Sequence, residues 1–157
     1  MYLLATELDS FDTLPIECRV RVLRRYLDAL CQTDIEWRRL HPDEPFLYEW
    51  GPKYAIKPRP YVPGSDQADI WQDTPSTRRR GTADCKDLAA ERASELYLGG
   101  YTVGFFIKVQ QIADLIVYHI QVEGFDGHGL FFREDPSKLL GMPTIVTPQQ
   151  LQAIMNG

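Results

Sequence analysis

Cys85 sits where a turn becomes a helix. In Gly81-Thr82-Ala83-Asp84-Cys85-Lys86-Asp87-Leu88-Ala89-Ala90, Asp84 is a good N-cap, and Leu88, Ala89, Ala93, Leu96 and Tyr97 recur along one helical face. The cysteine therefore falls in the first turn, beside unpaired backbone N–H groups and the positive end of the helix dipole. Such a setting favours thiolate over thiol and brings a cysteine pKa from about 8.5 to roughly 3.5–7.5. Downstream, Leu115-Ile116-Val117-Tyr118-His119-Ile120-Gln121-Val122 reads as a strand holding one histidine. After a Gly-rich turn, a short strand over 130–134 runs into Asp135-Pro136-Ser137. Nucleophile on a helix tip, base on one strand and carboxylate after the next are the parts of a Cys-His-Asp triad.

The elements that must position these residues follow from the periodicities. Gly99-Gly100 closes the helix opened by Cys85, giving 85–98. Val103, Phe105, Ile107 and Val109 alternate with polar residues, which predicts a strand over 102–110. In the next strand, 114–123, one face carries Ile116, Tyr118, Ile120 and Val122. His119 lies on the other face, beside Val117 and Gln121. The short link to 129–134 through Gly124-Phe125-Asp126-Gly127-His128-Gly129 predicts an antiparallel hairpin.

Upstream, Ile16, Val20, Leu23, Leu27 and Leu30 form a helical stripe, with Asp12 or Thr13 as cap and Pro15 in the first turn. Asp34 to Leu40 reads as a second, short helix. Cys18 and Cys31 read as small buried hydrophobes. Residues 42–65 hold more than half of the 11 prolines together with Phe46, Tyr48, Trp50, Tyr54 and Tyr61. That is too aromatic for a flexible linker and predicts an ordered extended arm across the domain. Thr147-Pro148-Gln149-Gln150 is a capping-box start to a C-terminal helix, 147–157.

At 157 residues the chain reads as one domain: helices over 1–41, the arm over 42–65, a core over 66–143 and the terminal helix. A net charge of −5 argues against a nucleic-acid partner. No apolar run reaches a membrane span, and the acidic N-terminus gives no signal peptide. Three cysteines without a Cys-x-x-Cys pair argue against a disulfide framework and a zinc site, and point to synthesis in a reducing cytoplasm. Asp84, Asp87 and Asp114 show no calcium-loop spacing; capping and solvation account for them. His41 and His128 lie in loop sequence. The run Arg78-Arg79-Arg80 is either a solvated face or a recognition patch for an acidic substrate or partner.

Gly-x-x-Asp-Cys-Lys-Asp-Leu-Ala, then a strand histidine, then Asp-Pro-Ser resembles the transglutaminase-like branch of the papain-like cysteine peptidases. Asp135-Pro136-Ser137-Lys138-Leu139-Leu140-Gly141-Met142 and Trp71-Gln72-Asp73-Thr74-Pro75 are especially similar to small phage-encoded members. The likeness covers about 66–143. Ala83 stands where relatives often carry glycine. The resemblance implies an α+β, papain/transglutaminase-like core with the cysteine helix packed on an antiparallel sheet. It implies Cys85 as nucleophile, His119 as general base and acid, and Asp135 as the group orienting the imidazole. The Cys85 N–H, the Trp71 indole and the Gln72 amide become oxyanion-hole candidates, and no cofactor or metal is needed.

The expected activity is thiol-dependent hydrolysis of a peptide or isopeptide amide. Transglutaminase-type transfer to a second amine is the near alternative. A structural or assembly adaptor on the same fold is the alternative from another class. Candidate partners are a protein or peptide substrate and phage structural proteins, the latter in a virion-associated setting.

Overall fold

The computed structural model describes residues 10–55, 71–112, 115–143, 147, 149–150 and 153. The N-terminus, the arm beyond residue 55, Asp114 and most of the terminal helix lie outside them. The architecture is α+β. Helix α1 spans Ile16–Leu40, α2 Leu47–Trp50, α3 Thr74–Arg80, α4 Cys85–Leu98 and α5 Pro136–Leu139. Strands β1 (Lys53–Tyr54) and β2 (Thr82–Ala83) form a small parallel pair. Strands β3 (Thr102–Ile112), β4 (Leu115–Phe125) and β5 (Phe131–Glu134) form an antiparallel sheet in that order. The helix over 85–98 and the β4–β5 hairpin match expectation, and the strand ends differ by one or two residues. Among the described residues, no helix is long and apolar enough to cross a membrane.

One core lies between α1, α4 and the sheet. Leu27, Cys31 and Ile35 of α1 meet Ala89, Ala90 and Ala93 of α4, and both helices cover Phe105, Ile107, Ile120 and Val122. The three alanines keep α4 thin enough to sit close to its neighbours on both sides. Val20, Leu23 and Leu30 pack at the margin, while Ile16, the first residue of the predicted stripe, is exposed. A smaller cluster of Leu47, Ala83 and Leu88 fastens α2 and β2 to α4.

The predicted break at Asp34 is absent: α1 is continuous through it. Asp34 is fully buried, and its Oδ1 accepts the Thr74 N–H at 2.7 Å. Its side chain caps the first turn of α3 instead of starting a helix of its own. At the N-terminus, Asp12 and Thr13 belong to a short 3-10 turn, and α1 begins after Pro15 without a side-chain cap. The arm is also less extended than predicted. It folds into α2, then enters β1, where Tyr54 pairs with Ala83.

A buried charge network links these layers. Arg38 Nη2 of α1 donates to Glu91 Oε1 at 2.9 Å and to Glu95 Oε1 at 2.6 Å. Glu95 Oε1 also accepts the Leu47 N–H at 2.6 Å, and Arg92 Nε reaches Glu134 Oε2 at 2.7 Å. Glu91 and Glu95 are both paired with Arg38, which is what makes burying them tolerable; removing one partner of such a group typically costs about 3–5 kcal/mol. The network fixes α4 along its length relative to α1 and β5, and so fixes where the helix tip lies.

Candidate active site

The tip of α4 is built by its own acidic residues. Gly81 ends α3 with φ 73°, a left-handed turn open to glycine, and redirects the chain into β2. Asp84 is the extended N-cap, and Cys85 is the first helical residue. Asp87 is 1% exposed: its Oδ1 accepts the Gln72 N–H at 2.8 Å and its Oδ2 the Asp84 N–H at 3.4 Å. Lys86, also buried, pairs with Asp84 and lies 5.5 Å from the Trp71 ring centre. Capping thus explains Asp84 and Asp87 as expected, but solvation does not, because Asp87 closes a buried joint between α4 and the segment before α3. Ala83 occupies an extended position in β2 and is fully buried, so its methyl group is accommodated there.

Strand β4 brings the backbone around His119 to this tip, and among the described residues no hydrogen bond joins Cys85 Sγ to the His119 ring. Ile120 and Val122 face the helices, so alternation puts His119 and Gln121 on the opposite face of the sheet. Strand β5 pairs only with Val122–Phe125, which leaves the β4 backbone at 118–120 without a third strand among the described residues. The α4 tip occupies that edge. Cys85 Sγ–H donates to the Tyr118 carbonyl at 3.8 Å, and the Ile120 N–H points at the sulfur. The backbone groups on either side of His119 therefore hold the thiol.

Asp135 follows β5 directly and turns onto the His119 face. His119 Nε2 lies 2.8 Å from Asp135 Oδ2. A carboxylate only accepts, so Nε2 carries a proton, and in the neutral imidazole the lone pair falls on Nδ1. Among the described residues nothing takes Nδ1. Gln121 Nε2 donates to the same Oδ2 at 3.1 Å, and the Lys138 N–H donates to Oδ1 at 3.3 Å, making Asp135 the N-cap of α5. Gln121 was missed as a site residue; its signal was its place two residues from His119 on the same strand face. Tyr54 was read only as part of the ordered arm. The β1–β2 pairing sets it beside the cluster, and burial, with Cys85, Asp84 and Asp135 nearby, pushes its phenol up.

The electrostatics of the thiol differ from expectation. Cys85 as a residue is half-buried, but desolvation pushes its thiol up to about 12, with the Asp84 carboxylate adding to the rise. Lys86 and the Ile120 N–H oppose it. The acidic side chains that build a sound cap are the ones that offset the helix terminus.

The other candidates are tied into packing. Gln72 is buried, and its Nε2 donates to the Thr82 carbonyl at 3.0 Å. The Trp71 ring lies between Tyr26, 5.6 Å between ring centres, and Lys86. Arg78 donates to the Pro45 carbonyl at 2.6 Å, faces Glu91 at 3.5 Å and stacks over Trp50, so it braces α2 against α3. Arg79 and Arg80 are exposed. The Cys85 N–H has no acceptor among the described residues and remains the available oxyanion donor. Nor is there, among the described residues, a group of three or more His, Cys, Asp and Glu side chains able to hold a metal ion. Comparison with protein-family models, curated proteins and solved structures finds no match.

Proposed function

We propose that this chain is a thiol-dependent hydrolase of peptide or isopeptide amides, built on a papain/transglutaminase-like core. One observation carries the reading. A histidine held by a carboxylate at 2.8 Å keeps its second nitrogen open, and the two backbone groups flanking that histidine grip the cysteine at a helix tip. Because burial keeps the resting thiol protonated, the proton leaves as the sulfur attacks. His119 Nδ1 takes the Sγ–H proton while Sγ bonds to the carbonyl carbon. The carbonyl oxygen gains the negative charge and meets the Cys85 N–H. The imidazolium, stabilised by Asp135, then gives its proton to the departing amine, leaving a thioester. Water, deprotonated by His119, attacks the thioester and restores the thiol. A second amine in place of water gives transfer rather than hydrolysis.

A virion or assembly adaptor on the same fold is the second reading. It draws on the thiol itself, pushed up to about 12 and bound to a backbone carbonyl. Incubation of the full chain with iodoacetamide at neutral pH separates the two. Fast labelling of Cys85 over Cys18 and Cys31 supports the enzyme, and equal, slow labelling of all three supports the adaptor. Adding a primary amine to any reaction found then distinguishes transfer from hydrolysis.

A further inference from the structure

We infer that Gln121 is a positioning residue for the imidazole of His119, acting through Asp135; the inference rests on the hydrolase reading only for its consequence in chemistry. Three donors converge on one carboxylate. Oδ2 accepts from His119 Nε2 at 2.8 Å and Gln121 Nε2 at 3.1 Å, and Oδ1 accepts from the Lys138 N–H at 3.3 Å. A carboxylate oxygen offers two lone-pair directions, so Oδ2 is filled by these two side chains. Residues two apart on a strand stand on one face, roughly 6.6 Å apart along the chain. His119 and Gln121 therefore approach Oδ2 from neighbouring positions on the same rigid strand, while the carboxylate arrives from the loop after β5.

That geometry gives Gln121 a task distinct from filling space. With Lys138 alone on the carboxylate, Asp135 keeps freedom to rotate about its own side-chain bonds and leave Nε2. With Gln121 in place, Oδ2 is pinned between two donors at the point where the Nε2–H must be received. The imidazole is then held with its proton on Nε2 and its lone pair on Nδ1, the nitrogen the thiol needs. The amide orientation is forced by the same chemistry, since only the NH₂ end of Gln121 can face a carboxylate. Gln121 touches no reacting atom in this arrangement.

The test uses the full chain with ¹⁵N-labelled histidine, read by NMR for the His119 tautomer, together with the rate of Cys85 alkylation by iodoacetamide. Gln121→Met keeps length and volume without a donor. It is expected to turn a single Nε2–H tautomer into a mixture and to slow Cys85 labelling at neutral pH about tenfold, less than the roughly 10²–10⁴-fold of losing the base outright. Gln121→Lys restores a donor and is expected to recover both readouts. In an Asp135→Ala background Gln121→Met should add nothing, because its effect passes through the carboxylate. Should Gln121→Met fail to fold, Gln121→Leu, which also lacks a donor, replaces it. An unchanged tautomer in a folded donor-less variant overturns the inference, as does slowed labelling with no tautomer change, which marks a structural tie between β4 and β5. A tautomer that shifts in a protein whose Cys85 never labels supports the positioning of His119 and removes the hydrolase reading instead.

Discussion

Cys31 and Cys85 are two thiols in very different places with the same resting character. Burial is the leading cause in both, and each thiol is pushed up to about 12. Cys31 sits in the middle of α1 inside an apolar cluster, and its neighbouring charges, Asp34 and Asp28, only reinforce the effect of burial. Cys85 sits at a helix start, where Lys86 and the Ile120 N–H pull the other way. A helix terminus, then, does not by itself make a thiolate. What separates the two cysteines is their surroundings: Cys85 meets the backbone groups flanking His119, and Cys31 packs among leucine, isoleucine and alanine.

The largest effects test that distinction directly. In the proposed mechanism Cys85→Ala abolishes acyl-enzyme formation and capture at the helix tip. His119→Ala leaves a buried thiol with no base and should lower capture of an electrophile and any turnover by 10²–10⁴-fold, roughly the span of general-base effects. The residual labelling should climb about tenfold per pH unit as the unassisted thiol ionises, toward its raised pKa. Asp135→Asn should hurt less than His119→Ala, since Asp135 orients and stabilises without taking the proton. Labelling at Cys31 should be unmoved in all of them. Intact-mass measurement on the native protein, with peptide mapping, reads each rate; a native Cys85 that labels as slowly as Cys31 would erase the comparison.

Much of this arrangement was legible in the amino-acid sequence, and the parts that were not share a cause. Helix α4, the alternation placing His119 opposite Ile120 and Val122, and the β4–β5 hairpin all express local periods of 3.6 and 2. So does the capping box in which the Gln150 N–H donates to Thr147 Oγ1 at 3.2 Å. What local pattern misreads is a side chain whose partner lies far along the chain. Asp34 looks like a helix cap and is one, for a helix 40 residues away. Asp87 looks like a surface acid and is a buried joint to Gln72. Arg78 opens a basic run and is held by Pro45, Glu91 and Trp50. Gln121 was placed on the right face, but its convergence with His119 on one oxygen depends on where the loop after β5 returns. The cap was read correctly while its electrostatic consequence for Cys85 was not, because desolvation is a property of packing.

A second test changes the Cys31 region alone. Burial raises Asp34 to about 8, against the opposing hydrogen bond from Thr74, with Glu91 and Asp73 adding to the rise. An unfolded aspartate ionises near pH 3.9. Between about pH 4 and 8 the native state therefore keeps a proton that the unfolded chain releases. The stability Asp34 contributes is present below pH 4 and is lost as pH rises through 8, at no more than about 1.4 kcal/mol per pH unit. Asp34→Asn keeps the shape and the acceptor for the Thr74 N–H but does not titrate. Its stability relative to wild type should grow from pH 5 to pH 8 in urea melts. Removing the Asp34 charge should also bring the Cys31 thiol down. Parallel pH profiles for the two proteins would show that Asp34 is not the buried titrating group.

The smallest expected effect separates the two sulfurs by what they do for stability. Cys31 is 6% exposed and packed among Leu27, Ile35 and the α4 alanines, so Cys31→Ala leaves a one-atom void that rigid helices on both sides cannot close. Deleting one heavy atom from such a site typically costs about 1 kcal/mol, as for Ile→Val. Cys85 touches the β4 edge with a weak donor in a half-buried position, and alanine is a better helix former at the same place. Cys85→Ala should therefore cost less than Cys31→Ala. Urea midpoints at one pH, with equal slopes, give both values. A Cys85→Ala loss equal to that of Cys31→Ala would make the helix-tip sulfur a packing atom. That result would favour an adaptor over an enzyme, because a nucleophile held ready for substrate contributes contacts to a substrate carbonyl rather than to the resting fold.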